Sequence, residues 1–117
     1  MNAPGSHLIV DGITSVLVDE EYLYQFLTDL VSVVHMTPIG EPKVVPVGSG
    51  WVGFILLAES HCAVHIHRNL ETHVDCFSCK PYSTEEALAF IMDRLKLHNV
   101  MHQTIERPMP AVIGGES

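Results

Sequence analysis

The 117 residues carry six basic and fourteen acidic side chains, a net charge of −8 with histidine neutral, which argues against nucleic acid or an anionic membrane surface as a partner. Hydrophobic residues make up 47% and charged residues 17%, enough to build one core and too little chain for two, so residues 1–117 are expected to form a single domain. No apolar run approaches the ~18 residues of a membrane span, and the start Met1-Asn2-Ala3-Pro4 lacks the basic and apolar regions of an export signal, so a cytoplasmic protein is expected.

His7 to Val10 is a short apolar run before Asp11-Gly12 and reads as a strand. Asp19 suits a helix N-cap, and Leu23, Phe26, Leu27, Leu30 and Val34 then recur at helical spacing, predicting a helix from Glu20 to Val34. Pro38, Gly40 and Pro42 break the chain, and Lys43 to Val47 is a short strand that Pro46 pushes to an edge. Trp51 to Glu59 is nearly all apolar and reads as a strand covered on both faces. His61 to His67 alternates, with His61, Ala63, His65 and His67 on one face and Cys62, Val64 and Ile66 on the other. Arg68 to Glu71 turns the chain and Thr72 to Cys79 is the next strand. Ser83 and Glu86 have capping-box form and open a helix with Ala87, Leu88, Ile91 and Leu95 on one face. Val100 to Arg107 is a last strand, followed by a loose tail from Pro108 to Ser117. The order predicts an α+β fold, a two-layer sandwich of a mainly antiparallel sheet with two helices on one face.

Chemistry concentrates in the middle of the chain. Four of the eight histidines, His61, His65, His67 and His73, fall within thirteen residues. The three cysteines, Cys62, Cys76 and Cys79, are an odd number, which suits free thiols better than a disulfide framework.

Leu57-Ala58-Glu59-Ser60-His61-Cys62-Ala63-Val64-His65 resembles the processing site of the small prokaryotic, pyruvoyl-dependent type of S-adenosylmethionine decarboxylase, where an A-E-S-H-x-x-x-H segment ends a long apolar strand. Gly5-Ser6-His7 resembles that family's N-terminal G-x-H strand. Gly50 and Gly53 stand where its G-x-x-G precedes the cleavage strand. Val74-Asp75-Cys76-Phe77-Ser78-Cys79 resembles its V-D-x-F-T-C strand. These segments, in order within a resemblance that runs from Gly5 to Leu97, are a far more specific signal than a lone Glu-Ser-His.

The resemblance implies self-cleavage between Glu59 and Ser60. The Ser60 hydroxyl attacks the Glu59 carbonyl, converting the amide to an ester. Elimination and hydrolysis then leave a pyruvoyl group derived from Ser60 as the only cofactor, with no metal required. The pyruvoyl ketone forms a Schiff base with an amine substrate and accepts the electrons left when carbon dioxide departs. By the same resemblance His65 assists processing, Cys79 reprotonates the decarboxylated carbon, the pathway is polyamine (spermidine) biosynthesis, and the protein is a homodimer of processed protomers.

Four positions depart from the family pattern. Val52 replaces a serine that helps processing. Pro46 and His67 stand where two aromatic rings clamp adenine, and Asn69 replaces a glutamate that holds the ribose. A stacked ring contributes about 1 kcal/mol beyond its buried area and a charged hydrogen bond about 1.5–3 kcal/mol. The expected substrate is therefore a basic amino acid, L-ornithine or L-arginine, with His67, Glu71 and Asp75 as candidate substrate-binding residues.

Three rival readings accompany this one. The first is S-adenosylmethionine decarboxylase proper. The second is a homologue that does not process and acts as a binding or regulatory protein, an option that Val52 keeps open. The third is a cupin-like metal site at His65, His67 and Glu71, which match H-x-H-x-x-x-E but lack the cupin second motif.

Overall fold

The computed structural model describes residues 5–107; the tail expected from Pro108 to Ser117 lies outside them. Eight elements follow in the order β1 (Gly5–Thr14), α1 (Glu20–Val33), β2 (Pro38–Val47), β3 (Gly50–Leu57), β4 (Ser60–His67), β5 (Glu71–Ser78), α2 (Thr84–Arg94) and β6 (Leu97–Arg107). The strands form one sheet in the order β2-β3-β4-β5-β1-β6, and every neighbouring pair is antiparallel. Successive hairpins link β2 to β5. β1 then fills the gap between β5 and β6 and becomes an interior strand.

Both helices start as their caps predict. Asp19 accepts from the Tyr22 amide at 2.8 Å and Ser83 from the Glu86 amide at 3.1 Å, satisfying amide groups that the first turn leaves unpaired. α1 packs on β2 and β3, and α2 on β1 and β6. The helices meet through stacked Phe26 and Phe90 rings, 5.8 Å between centroids, and an Arg94–Asp29 ion pair of 2.7 Å. Between helices and sheet lie Leu8, Val10, Leu23, Leu27, Leu30, Ile55, Val64, Val74 and Ile91.

The alternation in β4 is as expected: Cys62, Val64 and Ile66 are buried and the histidines face away. Three expectations change. β3 is buried on one face only; Phe54 is 42% exposed and Leu56 51%, and among the described residues no helix or strand covers that side. β2 begins at Pro38 and not at Lys43, because the breakers produce a shift of register between Ile39 and Lys43 without ending the strand. β1 and β6 outrun their apolar segments, since ladder pairing from Gly5–Arg107 to Thr14–Leu97 carries polar residues with it. Gly50 is held to glycine by its setting: its φ is +148°, and a Cβ would fall 1.9 Å from the Ile66 carbonyl oxygen.

Candidate active site

Leu57 at the end of β3 pairs directly with Ser60 at the start of β4, so Ala58 and Glu59 alone make the turn. Glu59 completes the reversal with φ 63°, in the left-handed region that costs an L-residue on the order of 1–2 kcal/mol. Glycine is the residue such a turn position ordinarily takes. Here it is a glutamate, and its carbonyl forms the bond to Ser60. Two backbone bonds hold the turn: the Ala58 amide donates to the Thr37 carbonyl at 3.0 Å, and the Cys79 amide to the Glu59 carbonyl at 3.3 Å. The second places a donor on the oxygen that would gain negative charge if the Glu59 carbonyl were attacked.

The Ser60 hydroxyl donates to Ser78 Oγ at 2.9 Å, with the Ala58 carbonyl oxygen 3.4 Å away. Ser78 is 1% exposed. Its oxygen also accepts from the Lys80 amide at 2.9 Å, and its hydroxyl lies 3.6 Å from the Met36 sulfur. Ser60 and Ser78 are direct cross-strand partners. Ser78 is the residue that reading the sequence missed. Its signal was present, as the hydroxyl residue preceding Cys79 in the V-D-x-F-T-C-like strand.

Cys79 lies just past β5, half-buried, beside the turn. The other two thiols sit in the core as cross-strand partners, with Cys62 Sγ 2.7 Å from Cys76 Sγ. That hydrogen bond, and then burial, push the Cys62 thiol well above the ordinary range. Among the described residues Cys79 is thus the thiol with access to solvent.

The structure does not bring His65 to Ser60 within one chain. Five residue steps of strand separate them, roughly 16 Å at ~3.3 Å per residue, and His65 faces the open side of the sheet. Its Nε2 is shut off from solvent and finds no hydrogen-bond partner among the described residues. Lost hydration, then the nearby His67 and His73, hold its pKa below the ordinary histidine value. The rings of His65 and His67 lie 4.0 Å apart between centroids.

The remaining candidates divide between the middle of the open face and the end far from the Ser60 turn. Asp75, opposite Ala63, lies at the middle of the β4–β5 ladder and meets His7 Nε2 at 3.1 Å. Glu71 and His67 stand at the far end with His73, their ligand atoms all within 4.8 Å of one another. Asn69 is engaged in the hairpin turn, where its side-chain oxygen accepts from the Glu71 amide at 3.0 Å. Pro46 and His67 do share a cleft of about 300 Å³, together with Trp51, Arg68 and Leu70. The cupin reading is corrected: the sheet is a single open layer and not a barrel, and the third member of the compact cluster is His73, not His65.

The sequence pattern of the family described as S-adenosylmethionine decarboxylase matches residues 6–108, most of the chain. The chain belongs to the S-adenosylmethionine decarboxylase family. Membership supports a decarboxylase of polyamine biosynthesis. The solved adenosylmethionine decarboxylase from Aquifex aeolicus VF5 is similar in fold, with a TM-score of 0.75 over 99% of this chain and 100% of that one, at 20% sequence identity. No curated protein matches the sequence. No described helix is long and apolar enough to cross a membrane.

Proposed function

We propose that this S-adenosylmethionine decarboxylase family member cuts itself between Glu59 and Ser60 and, as a pyruvoyl enzyme, decarboxylates a cationic amino acid, L-ornithine or L-arginine. The observation that carries the proposal is the turn itself: a left-handed Glu59 whose carbonyl takes the Cys79 amide, next to a Ser60 hydroxyl bonded to Ser78. Ser60 Oγ adds to the Glu59 carbonyl carbon and its proton moves toward Ser78 Oγ. Collapse of the adduct breaks the C–N bond as the nitrogen takes up the proton that left Oγ, and leaves an ester with a free Ser60 amine. Removal of the Ser60 α-proton then expels Glu59 as a carboxylate, and water releases the amine nitrogen as ammonia. Ser78 offers the hydroxyl that Val52 lacks. Val52 itself pairs with His65, far from the turn.

The pyruvoyl group, once formed, supplies an electron sink for the carbanion left by departing carbon dioxide. Cys79, the solvent-accessible thiol beside it, returns a proton to that carbon. His65 serves from a second copy, because within one chain it is far from Ser60. The uncovered sheet face, with Phe54 and Leu56 exposed, gives a homodimer its contact surface. Asp75, three positions from Ser60 by strand register and on the opposite face from its hydroxyl, is the candidate for the substrate's cationic side chain; Glu71 and His67 at the far end reach substrate only across such a dimer.

A second reading, S-adenosylmethionine itself as substrate, draws on Trp51, an aromatic ring in the cleft with Pro46 and His67. Two measurements separate the readings. Intact mass of the purified protein is expected to show fragments 1–59 and 60–117; a single species near 12.9 kDa would refute the pyruvoyl mechanism. Carbon dioxide release is expected from ornithine or arginine, and release from adenosylmethionine alone would move the assignment to the second reading.

A further inference from the structure

The β4–β5 hairpin gathers three metal-ligating side chains on the open face of the sheet. His67 ends β4, and Glu71 and His73 begin β5. Residues two apart on a strand share a face, and directly paired residues of neighbouring strands do too. His65 and His73 are such a pair, and Ile66 pairs with Thr72, so His65, His67, Glu71 and His73 form one patch. Ligand atoms of His67, Glu71 and His73 all lie within 4.8 Å of one another. Bonds of about 2.0–2.2 Å to a common tetrahedral ion set ligand atoms roughly 3.3–3.6 Å apart, so the side chains must close by up to about 1.5 Å to share one.

A second observation points to a ligand independently of that spacing. His73 Nδ1 lies 2.7 Å from Asp11 Oδ1 on β1. A carboxylate oxygen accepts here, so Nδ1 is the donor, and in the neutral imidazole that a metal takes Nε2 keeps its lone pair. This is the carboxylate–histidine arrangement that orients metal-bound imidazoles and raises their basicity. His65 adds a third feature. Its ring lies 4.0 Å from that of His67 and 6.4 Å from that of His73, and its Nε2 is buried without a partner among the described residues. Crowded imidazoles repel when protonated, and a divalent ion is the species that takes neutral ones.

We propose that His67, Glu71 and His73 bind one divalent late first-row metal ion, of the Zn²⁺ or Co²⁺ class, with Asp11 orienting His73 from behind. Two imidazoles and one carboxylate suit such ions, whereas Mg²⁺ and Ca²⁺ take oxygen ligands. Three protein ligands leave a coordination position open, which the half-exposed setting of the cluster gives to water, to a small ligand or to the neighbouring His65. The site goes beyond the pyruvoyl reading and stands without it: none of its ligands lies at the Glu59–Ser60 turn, and where the ion binds, His67 and Glu71 hold it and not the substrate.

The test uses the full chain, stripped with a chelator, in the Ser60→Ala form so that self-cleavage plays no part. Co²⁺ alone is titrated and its visible absorption followed; Zn²⁺ is titrated by calorimetry. One equivalent per chain is expected, with a dissociation constant of roughly micromolar or tighter and no comparable response to Mg²⁺. Glu71→Gln, at an exposed position, and the pair His67→Gln/His73→Gln are each expected to abolish the cobalt spectrum. Asp11→Asn, which removes no ligand, is expected to weaken binding about 10–100-fold. Circular dichroism of the metal-free variants checks the fold, and exposed Glu71 carries the test if a histidine variant is unstable. Absence of saturable Co²⁺ and Zn²⁺ binding overturns the proposal. So does binding that survives Glu71→Gln and the double histidine variant, which would put the ion elsewhere.

Discussion

The amide of Cys79 lies within hydrogen-bonding distance, 3.3 Å, of the Glu59 carbonyl oxygen. The end of β5 therefore holds the carbonyl that Ser60 is proposed to attack, and two successive residues there, Ser78 and Cys79, serve the hydroxyl and the oxygen of one peptide unit. A turn of only two residues gives this little slack. Any shift of β5 along β4 would separate Ser60 from Ser78 and Glu59 from Cys79 together, because both contacts depend on the Ser60–Ser78 pairing.

Ser78→Ala is the first consequence of that pairing. It removes the acceptor of the Ser60 proton and one partner of the Lys80 amide. Loss of a buried hydrogen-bond partner costs about 1–3 kcal/mol, so self-cleavage is expected to slow by roughly 10–100-fold. Ser78→Thr keeps the oxygen and is expected to restore most of the rate. Time-resolved intact mass after purification of the uncut chain measures this directly. A cleavage rate unchanged in Ser78→Ala would remove Ser78 from the reaction.

Glu59→Gly probes the strain at the same turn. Releasing a left-handed L-residue gains about 1–2 kcal/mol, and the extra freedom of glycine in the unfolded chain returns about 0.4–1 kcal/mol. The net gain of about 0–1.6 kcal/mol, centred on ~0.8 kcal/mol, is expected to raise Tm by roughly 2–5 °C at that centre, measured in the Ser60→Ala background to keep the chain whole. With Ser60 intact, cleavage is expected to slow a few-fold, since part of the ground-state distortion is gone. A lower Tm for Glu59→Gly would show that the glutamate side chain stabilises the turn by more than its backbone costs.

These two residues mark where reading the sequence succeeds and where it stops. Helix caps at Asp19 and Ser83 and the period-2 run from His61 to His67 were legible because their causes are local: a side chain bonding an amide three residues on, or apolar residues every second position. Burial of β3 on one face was not legible. An apolar strand reads alike whether its second face meets a helix, a partner or water, and only the placement of both helices on one side decides it. Glu59 and Ser60 were marked by motif, but the Ser60–Ser78 hydrogen bond spans an 18-residue separation that only strand register reveals. The grouping of His73 with His67 and Glu71 needed the register as well, as spacing along the chain favoured His65 as the third member.

Thiol chemistry follows from burial. Cys62 and Cys76 are 0% and 2% exposed, and the Cys62 thiol is pushed up by its bond to Cys76 and by burial, which starves it of reactive thiolate at about pH 8. Cys79 is half-buried. Iodoacetamide at that pH is expected to add one group to the native chain, at Cys79, and three after denaturation, as counted by mass. Rapid modification of Cys62 or Cys76 in the folded chain would contradict the core placement of that pair.

His65 sets a pH dependence of opposite sign to that of a paired histidine. Its pKa is lowered from 6.5 in the folded chain, first by lost hydration and then by His67 and His73. Between that lowered value and 6.5 the unfolded chain binds more protons than the folded one, and stability rises with pH wherever that holds. The contribution of neutral His65 is therefore fully present above about pH 7, is lost as pH falls through the unfolded value, and levels off below the folded one. His65→Gln keeps a polar side chain and removes the titration. Thermal melts of the metal-free, Ser60→Ala chain from about pH 8 to about pH 5 are expected to fall more steeply with His65 present than in the His65→Gln variant. Parallel curves for the two proteins would mean that the other histidines, and not the buried Nε2 of His65, set the acid sensitivity of the fold.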